Sequence, residues 1–230
     1  MKNICKTLNN ICDELFSLKN SDKAKGLQRF FKTGKGEYGV GDIFLGITVP
    51  LLRQVSNKYL DLSLGDLQIL FNSKIHEYRM IALFVLIKKE DKRAAFDFYL
   101  KNTRNINNWD LVDLSAPKII GDYLLNRDKS ILSKLARSNN LWERRIAVLS
   151  TFAFIKNNNF GDSLKIAEIL INDEHDLIHK AVGWMLREVG KRDLKTEEEF
   201  LEKNYRKMPR TCLRYAIEKF SEEKRRAFLN

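Results

Sequence analysis

The sequence has little of what a disulfide-stapled, turn-rich or membrane-spanning protein requires. Its 230 residues include only 3 Pro and 3 Cys. Because the cysteines (Cys5, Cys12 and Cys212) are odd in number and form no Cys-x-x-Cys pair, a disulfide framework and a zinc ribbon are excluded. The longest apolar run passes through Ile81–Ile87, whereas a membrane-spanning helix needs about 20 apolar residues. The opening residues, Met1–Lys6, lack the apolar region of a secretory signal, so we expect a soluble, cytoplasmic protein with no membrane partner.

Positive charge is in excess. The chain has 41 Lys and Arg against 30 Asp and Glu, which gives a net charge of +11 and a pI of about 9.5. A basic protein often binds a polyanion, most commonly nucleic acid. The hydrophobic share of 44% and the charged share of 31% are typical of a globular chain and exclude a disordered one. The charge disfavours a protein–protein scaffold without excluding it.

Apolar residues recur every three or four positions along almost the whole chain, which predicts helices. The predicted helices span roughly 2–18, 21–33, 50–60, 64–72, 74–89, 91–102, 108–125, 129–137, 141–157, 161–172, 175–191, 196–207, 210–220 and 221–228. Pro117 should kink or split the segment in which it lies. The glycine-rich stretch 33–42 lacks the Gly-Lys-Ser/Thr of a phosphate-binding loop, so we expect a mobile connector there.

Small residues recur in similar contexts at a nearly constant spacing. They are Ala82, Ser115, Ala147, Gly183 and Ala216, separated by 33, 32, 36 and 33 residues. A helix pair of this length cannot bury its apolar face alone, but stacked pairs can. We therefore predict an all-α fold, a right-handed-type α-solenoid of short HEAT-like helix-pair repeats with a concave basic groove, formed by residues 1–230 as a single domain. An irregular helical bundle is the alternative.

The repeat register predicts that an acid and a guanidinium are neighbours. Asp113 and Arg145 each lie two positions before the small residue of consecutive repeats, and equivalent positions of stacked helices lie side by side. An inter-repeat salt bridge is the simplest interpretation of such a pair. However, Trp109 precedes Asp113 by four residues, which places ring and carboxylate on one helix face and keeps a functional role open beside the salt bridge.

A second tryptophan lies among cations. Trp184 has Lys180 four residues before it and Arg187 three residues after it, so one helix face combines an indole with two positive charges. Aromatic rings and cations on one surface suit the bases and the backbone of a nucleic acid. This pattern agrees with the nucleic-acid binding that the positive net charge suggests.

Four stretches carry a resemblance to a known family. They are Asn108–Asp113, Leu141–Ala147, Lys180–Glu188 and, more weakly, Phe44–Arg53. In them the sequence resembles the AlkD-like DNA glycosylases of the DNA alkylation repair family, over about residues 20 to 220. The resemblance implies a HEAT-like helical solenoid, in agreement with the repeat spacing.

The resemblance also implies roles for individual residues. The family's essential carboxylate falls on Asp113 and its essential arginine on Arg145, which are the expected catalytic residues. A tyrosine of the family corresponds to Phe30, which lacks the hydroxyl group. Contacts with the substrate or with DNA are expected from Trp109, Trp184, Arg144, Lys180, Arg187, Arg214 and Phe30.

The implied activity is hydrolysis of the N-glycosidic bond of cationic N3- or N7-alkylated purines in duplex DNA. Such a base departs neutral, so no general acid is needed, and Asp113 can stabilise the charge that develops on the deoxyribose and orient a water. Arg145 can hold a phosphate by a bidentate contact. Because no lysine is marked out as a Schiff-base nucleophile, we expect base release without strand cleavage. The family implies that this proceeds without base flipping.

No cofactor and no metal ion are expected. His175 and His179 lie four residues apart, but the residues between them lack the glutamate of an HExxH zinc motif, so surface or half-buried histidines are the simpler interpretation. The expected partner is duplex DNA that carries alkylated purines, with no obligate protein partner, and the expected state is a monomer. The alternative is a non-catalytic HEAT-like nucleic-acid-binding protein that uses the same basic groove.

Overall fold

A computed structural model describes residues 7–229. Within that range the chain is helical, and its β-type pairing is an isolated bridge between Ile43 and Ile75, so the all-α class is confirmed. Among the described helices, none combines the length and the apolar character needed to cross a bilayer. Met1–Lys6, including Cys5, lies outside the described residues. The chain divides into two compact units, Met1–Leu111 and Val112–Asn230.

The first unit consists of helices joined by turns. They are α1 (Leu8–Ser17), α2 (Ser21–Phe30), α3 (Val49–Ser56), α4 (Leu64–Phe71), α5 (His76–Lys88) and α6 (Lys92–Lys101). A 3-10 turn, Thr103–Asn105, then precedes α7 (Trp109–Ala116), within which the division between the units falls.

Helix α5 is the central helix of the first unit. Its residues from Met80 to Leu86 are all buried, and a helix that is apolar on every side is typical of a core. Helices α3 and α4 pack against it. The Glu77 carboxylate, also buried, accepts hydrogen bonds from the backbone N–H groups of Leu45, Gly46 and Ile47 at 2.9, 2.8 and 3.2 Å. These bonds fix the chain that leads into α3.

The glycine-rich segment 33–42 differs from the mobile connector expected from the sequence. Its end is anchored, because the buried Asp42 carboxylate accepts hydrogen bonds from Arg79 at 2.5 Å and Asn107 at 2.7 Å. Gly39 has no room for a Cβ, since the Phe31 carbonyl oxygen lies 2.7 Å from where that atom would be. The sequence pattern missed the anchoring because the partners of Asp42 are 37 and 65 residues away along the chain.

The second unit is built from helix pairs. Helix α7 leads into a π-helical turn, Pro117–Gly121, so the predicted irregularity at Pro117 is confirmed. The helices that follow are α8 (Asp122–Leu124), α9 (Ser130–Ala136), α10 (Leu141–Lys156), α11 (Gly161–Leu170), α12 (Asp176–Gly190), α13 (Leu194–Asn204), α14 (Arg210–Ala216) and α15 (Glu222–Leu229), with 3-10 turns at Tyr205–Lys207 and Ile217–Lys219.

Small residues allow these helices to stack closely. Helices α10, α12 and α14 pack side by side, and α9, α11 and α13 pack against them. A Cβ at Gly183 would collide with the Cys212 carbonyl oxygen, so glycine lets α12 approach α14. Gly121 likewise lets the π-helical turn approach α10, because a Cβ there would collide with the Ser150 carbonyl oxygen. The stacked pairs predicted from the spacing are present, and the α-solenoid is confirmed.

The stacking register differs from the predicted one by about one helical turn. The small residues of α10 and α12 are 36 positions apart in the sequence. The contacts between these helices join residues 32 positions apart instead: Arg145 Nη1 donates to the Leu177 carbonyl, and the Phe152 ring centroid lies 6.1 Å from that of Trp184. A shift of four residues equals about one turn of an α-helix. Between α10 and α12 the small residues therefore mark the helices but not the register in which they pair.

Candidate active site

Asp113 on α7 and Arg145 on α10 form a bidentate ion pair. Arg145 Nε donates to Asp113 Oδ1, and Nη2 donates to Oδ2, both at 2.8 Å. The third guanidinium nitrogen, Nη1, donates to the Leu177 carbonyl at the start of α12 at 2.6 Å. The predicted proximity of acid and guanidinium is therefore present, and one arginine joins residues of three helices, α7, α10 and α12.

Burial limits which groups outside the protein the Arg145–Asp113 pair can contact. The Arg145 side chain is 6% exposed and that of Asp113 is 15% exposed. Because every guanidinium nitrogen of Arg145 already donates to a protein acceptor, the structure gives this residue different partners from the phosphate expected for it. The pair fixes the orientation of both Asp113 oxygens while part of that side chain remains accessible. It also has the geometry of the inter-repeat salt bridge that the sequence left open.

Trp184 lies two turns along α12 from Leu177, which corresponds to about 10 Å along the helix axis. Its indole Nε1–H donates to Glu188 Oε1 at 3.1 Å, and Glu188 also pairs with Lys191 at 2.6 Å. The ring packs beside Phe152 of the neighbouring helix and remains partly exposed. The hydrogen bond and the ring contact together fix the plane of the indole.

In the first unit the structure brings two of the predicted aromatic residues together. The Trp109 ring stacks on Phe31, with centroids 5.1 Å apart, and meets Phe30 edge to face at 5.9 Å. Phe30 is 63% exposed, an unusually high value for so large an apolar side chain. Phe30 thus lies on the surface beside Trp109.

Three of the four predicted cations already pair with carboxylates. The pairs are Arg144 with Asp173, Lys180 with Asp176, and Arg187 with Glu218. Arg144 also donates to the Ser138 carbonyl at 3.0 Å, and its side chain is 19% exposed, so it ties two loops together. Lys180 remains 40% exposed, and Arg214 is exposed on α14. Of these four cations, Lys180 and Arg214 are therefore the most accessible to a phosphate group outside the protein.

Sequence reasoning missed a buried polar network in the first unit. The His76 imidazole lies between two carboxylates, with Nδ1 3.2 Å from Asp42 Oδ2 and Nε2 2.8 Å from Asp110 Oδ2. Burial opposes its charged form, but hydrogen bonds with Asp110 and Asp42 outweigh that effect and raise the pKa of His76 above its ordinary value. The three residues are spaced 34 and 34 positions apart, close to the repeat period, and this spacing is the signal that could have found them.

Comparisons with known proteins agree with this architecture. A solved structure described as a predicted DNA alkylation repair enzyme from Enterococcus faecalis is similar with a TM-score of 0.70 and 19% identity, covering 89% of this chain and 97% of that one. The smu.31 protein of Streptococcus mutans UA159 is similar with a TM-score of 0.58 and 16% identity, over 94% and 99% of the two chains. No curated protein matches. The model of a family described as DNA alkylation repair enzyme matches residues 11–220, and this chain therefore belongs to that family.

Proposed function

We propose that this chain is a DNA glycosylase that hydrolyses the N-glycosidic bond of cationic N3- or N7-alkylated purines in duplex DNA. The observation that carries the proposal is the Asp113 carboxylate, oriented by two hydrogen bonds from Arg145 and still 15% exposed. Membership of the DNA alkylation repair family supports repair of alkylated DNA as its setting. We propose that it acts in the cytoplasm as a monomer, without a cofactor and without flipping the base.

One carboxylate suffices for this chemistry because the leaving group is good. The bond from C1′ to the base nitrogen breaks, and its electron pair neutralises the cationic base. Positive charge then develops on the deoxyribose, where a nearby carboxylate stabilises it. A water oxygen bonds to C1′, and its proton passes to Asp113 and on to solvent. Glycoside hydrolases with poor leaving groups need a second carboxylic acid, and here none is required.

In this proposal Arg145 acts on Asp113 rather than on DNA. Its guanidinium engages both carboxylate oxygens and is nearly buried, so it is a positioning residue. Trp184 offers its partly exposed ring to the lesion or its sugar, since an aromatic face attracts a cation. Trp109 and Phe30 are proposed contacts on the first unit, and Lys180 and Arg214 are proposed phosphate contacts.

The test is an excision assay on methylated duplex DNA. The wild type should release 7-methylguanine and 3-methyladenine, whereas Asp113→Asn should release neither and should bind DNA within about twofold of wild type. Asp162→Asn is the matched control, because Asp162 is another carboxylate of the second unit that pairs with a cation, Lys129 at 3.8 Å. That variant should excise at the wild-type rate. Equal activity of the two variants would remove Asp113 from the mechanism.

A second candidate function is supported by the same ion pair. Because Arg145 engages both oxygens of Asp113, the pair would equally suit a non-catalytic HEAT-like nucleic-acid-binding protein in which it only joins helices. A wild type that binds duplex DNA tightly and frees no base establishes this function instead. In both cases binding should weaken steeply with salt, because contacts with phosphate release counterions. A flat salt response would indicate a protein partner.

A further inference from the structure

The His76 imidazole lies between two acids within hydrogen-bond distance, and its side chain is 3% exposed. Phe44 stacks on its ring with centroids 4.4 Å apart, and Phe31 stacks at 5.4 Å. Asp42 and Asp110, which face its two nitrogens, are buried as well. The imidazole is thus held in plane by aromatic rings and at both ends by carboxylates.

The two carboxylates belong to different parts of the first unit. Asp42 ends the glycine-rich segment and is held there by Arg79 and Asn107. Asp110 is the second residue of α7. His76 therefore connects the anchored loop to the first turn of α7.

Neighbouring residues reinforce this connection. Asn107 Nδ2 donates to Asp42 Oδ1 at 2.7 Å, and Asn108 Nδ2 donates to the Phe31 carbonyl at 3.0 Å. Together with Asp110, three nearly consecutive side chains tie the start of α7 to the segment that ends at Asp42. Of these three connections, the one through Asp110 has a titratable donor, the His76 imidazole, whereas the other two have asparagine amides.

The protonation state decides how many bonds the imidazole makes. An imidazolium donates from both nitrogens, whereas a neutral imidazole donates from one and turns a lone pair toward the other carboxylate. The charged groups around it are Asp42 from the loop, Asp110 from α7 and Arg79 from its own helix. Glu77 and Lys23 line the same cavity of about 310 Å³ as His76, but the oxygens of Glu77 already accept three backbone N–H groups.

We propose that His76, as an imidazolium, is a positioning residue that holds the first turn of α7 by bridging Asp42 and Asp110. The proposal rests on the proposed function in one respect: α7 carries Trp109 and, one turn later, Asp113. Loss of the bridge releases the start of this helix. Excision then slows because the helix that carries Asp113 is no longer held at its start, while the proposed phosphate contacts Lys180 and Arg214 on α12 and α14 remain.

The first test needs no enzymatic activity. The chain has 3 His, so ring nitrogen NMR spectra are simple to assign with His76→Gln, or with His175→Gln and His179→Gln by elimination. At pH 7 the His76 ring of the wild type should carry protons on both nitrogens. As pH rises through its titration, the protection factors of the backbone amides of residues 109–113, which are corrected for the intrinsic rise of exchange with pH, should fall. A His76 that is neutral at pH 7, or exchange that is indifferent to its titration, overturns the proposal.

The second test uses excision under single-turnover conditions. His76→Gln should slow base release by about 10- to 100-fold, the scale of a small displacement of a reacting group, with Kd for DNA within about twofold of wild type. His179→Gln is the matched control, because His179 contacts a backbone carbonyl of the second unit. It should change neither quantity. A folded His76→Gln protein that excises at the wild-type rate refutes the positioning role.

The pH profile separates positioning from a purely structural contribution. As pH rises through the His76 titration seen by NMR, which lies above the ordinary histidine value, the wild-type rate should fall, whereas the rate of His76→Gln should stay level over the same range. If His76→Gln does not fold, the pH profile of the wild type alone tests the proposal. An excision rate that falls with the NMR titration of His76 supports it, and an excision rate that does not change with pH refutes it. If the wild type frees no base at all, the proposed function fails, and the NMR and exchange measurements still test the bridge.

Discussion

The Arg145–Asp113 pair offers the sharpest test of how the site is held. Arg145→Met removes the guanidinium while keeping an unbranched side chain of similar length. The change leaves the Asp113 carboxylate, 15% exposed, without its two N–H donors, and leaves the Leu177 carbonyl without its donor from Nη1. We expect a large loss of stability, because the Asp113 carboxylate loses its guanidinium partner in a poorly hydrated place.

The size of the loss follows from burial. Removing one partner of a buried ion pair costs about 3–5 kcal/mol, and we expect about 3 kcal/mol here because Asp113 keeps some contact with water. For a chain of this length that corresponds to a fall in Tm of about 6–12 °C. Replacing both partners, in Asp113→Leu with Arg145→Met, should cost about 1 kcal/mol or less, since no charge is then left unpaired.

The measurement is urea and thermal unfolding followed by tryptophan fluorescence. Arg93→Met is the control for loss of an ion pair at the surface, because Arg93 and Asp97 are 70% and 52% exposed. Such a pair contributes only about 0–1 kcal/mol. If Arg145→Met and Arg93→Met destabilise the protein equally, or if the double variant is no more stable than Arg145→Met, the pair does not hold Asp113 as argued.

Arg145→Lys then distinguishes positioning from phosphate binding. Lysine keeps the charge but cannot engage both oxygens and the Leu177 carbonyl at once. If Arg145 positions Asp113, the lysine variant should bind DNA as wild type does and excise it at least about tenfold more slowly. If Arg145 held a phosphate, the variant would lose affinity first, and Arg145→Met would reduce the salt dependence of binding by about one phosphate contact.

Three further predictions concern other parts of the second unit. Gly183→Ala should destabilise the protein by about 1–3 kcal/mol in urea unfolding, because its Cβ would collide with the Cys212 carbonyl oxygen where α12 meets α14. Burial and the nearby charge of Glu198 raise the pKa of Glu197 to about 8, so the stability from its protonated form is complete below about pH 4.5 and is lost as pH rises through about 8. Glu197→Gln should therefore be more stable than wild type at pH 9 and not at pH 5, and an equal difference at both pH values would contradict the assignment. Trp184→Ala should weaken both excision and the preference for alkylated over unmodified duplex in competition binding, and unchanged values would place the lesion elsewhere.

The helices themselves could be predicted from the sequence because their signals are local. The segment predicted at 141–157 is α10 (Leu141–Lys156), and the segment at 175–191 is α12 (Asp176–Gly190). The irregularity at Pro117 was predictable because a proline ring removes a hydrogen bond within its own helix. The connector 33–42 could not be judged in this way, since its order depends on the partners of Asp42.

By itself the sequence determined the all-α class, the stacking of helix pairs and the proximity of Asp113 to Arg145, because periodicity and repeat spacing are properties of the chain alone. The tertiary structure decided which partner each polar group binds. It directed the Arg145 guanidinium to Asp113 and Leu177 rather than to solvent, and it placed His76 between two acids. These partners are at least 32 residues apart, and a long side chain that can reach several acceptors is committed to one only when packing fixes the register of the helices.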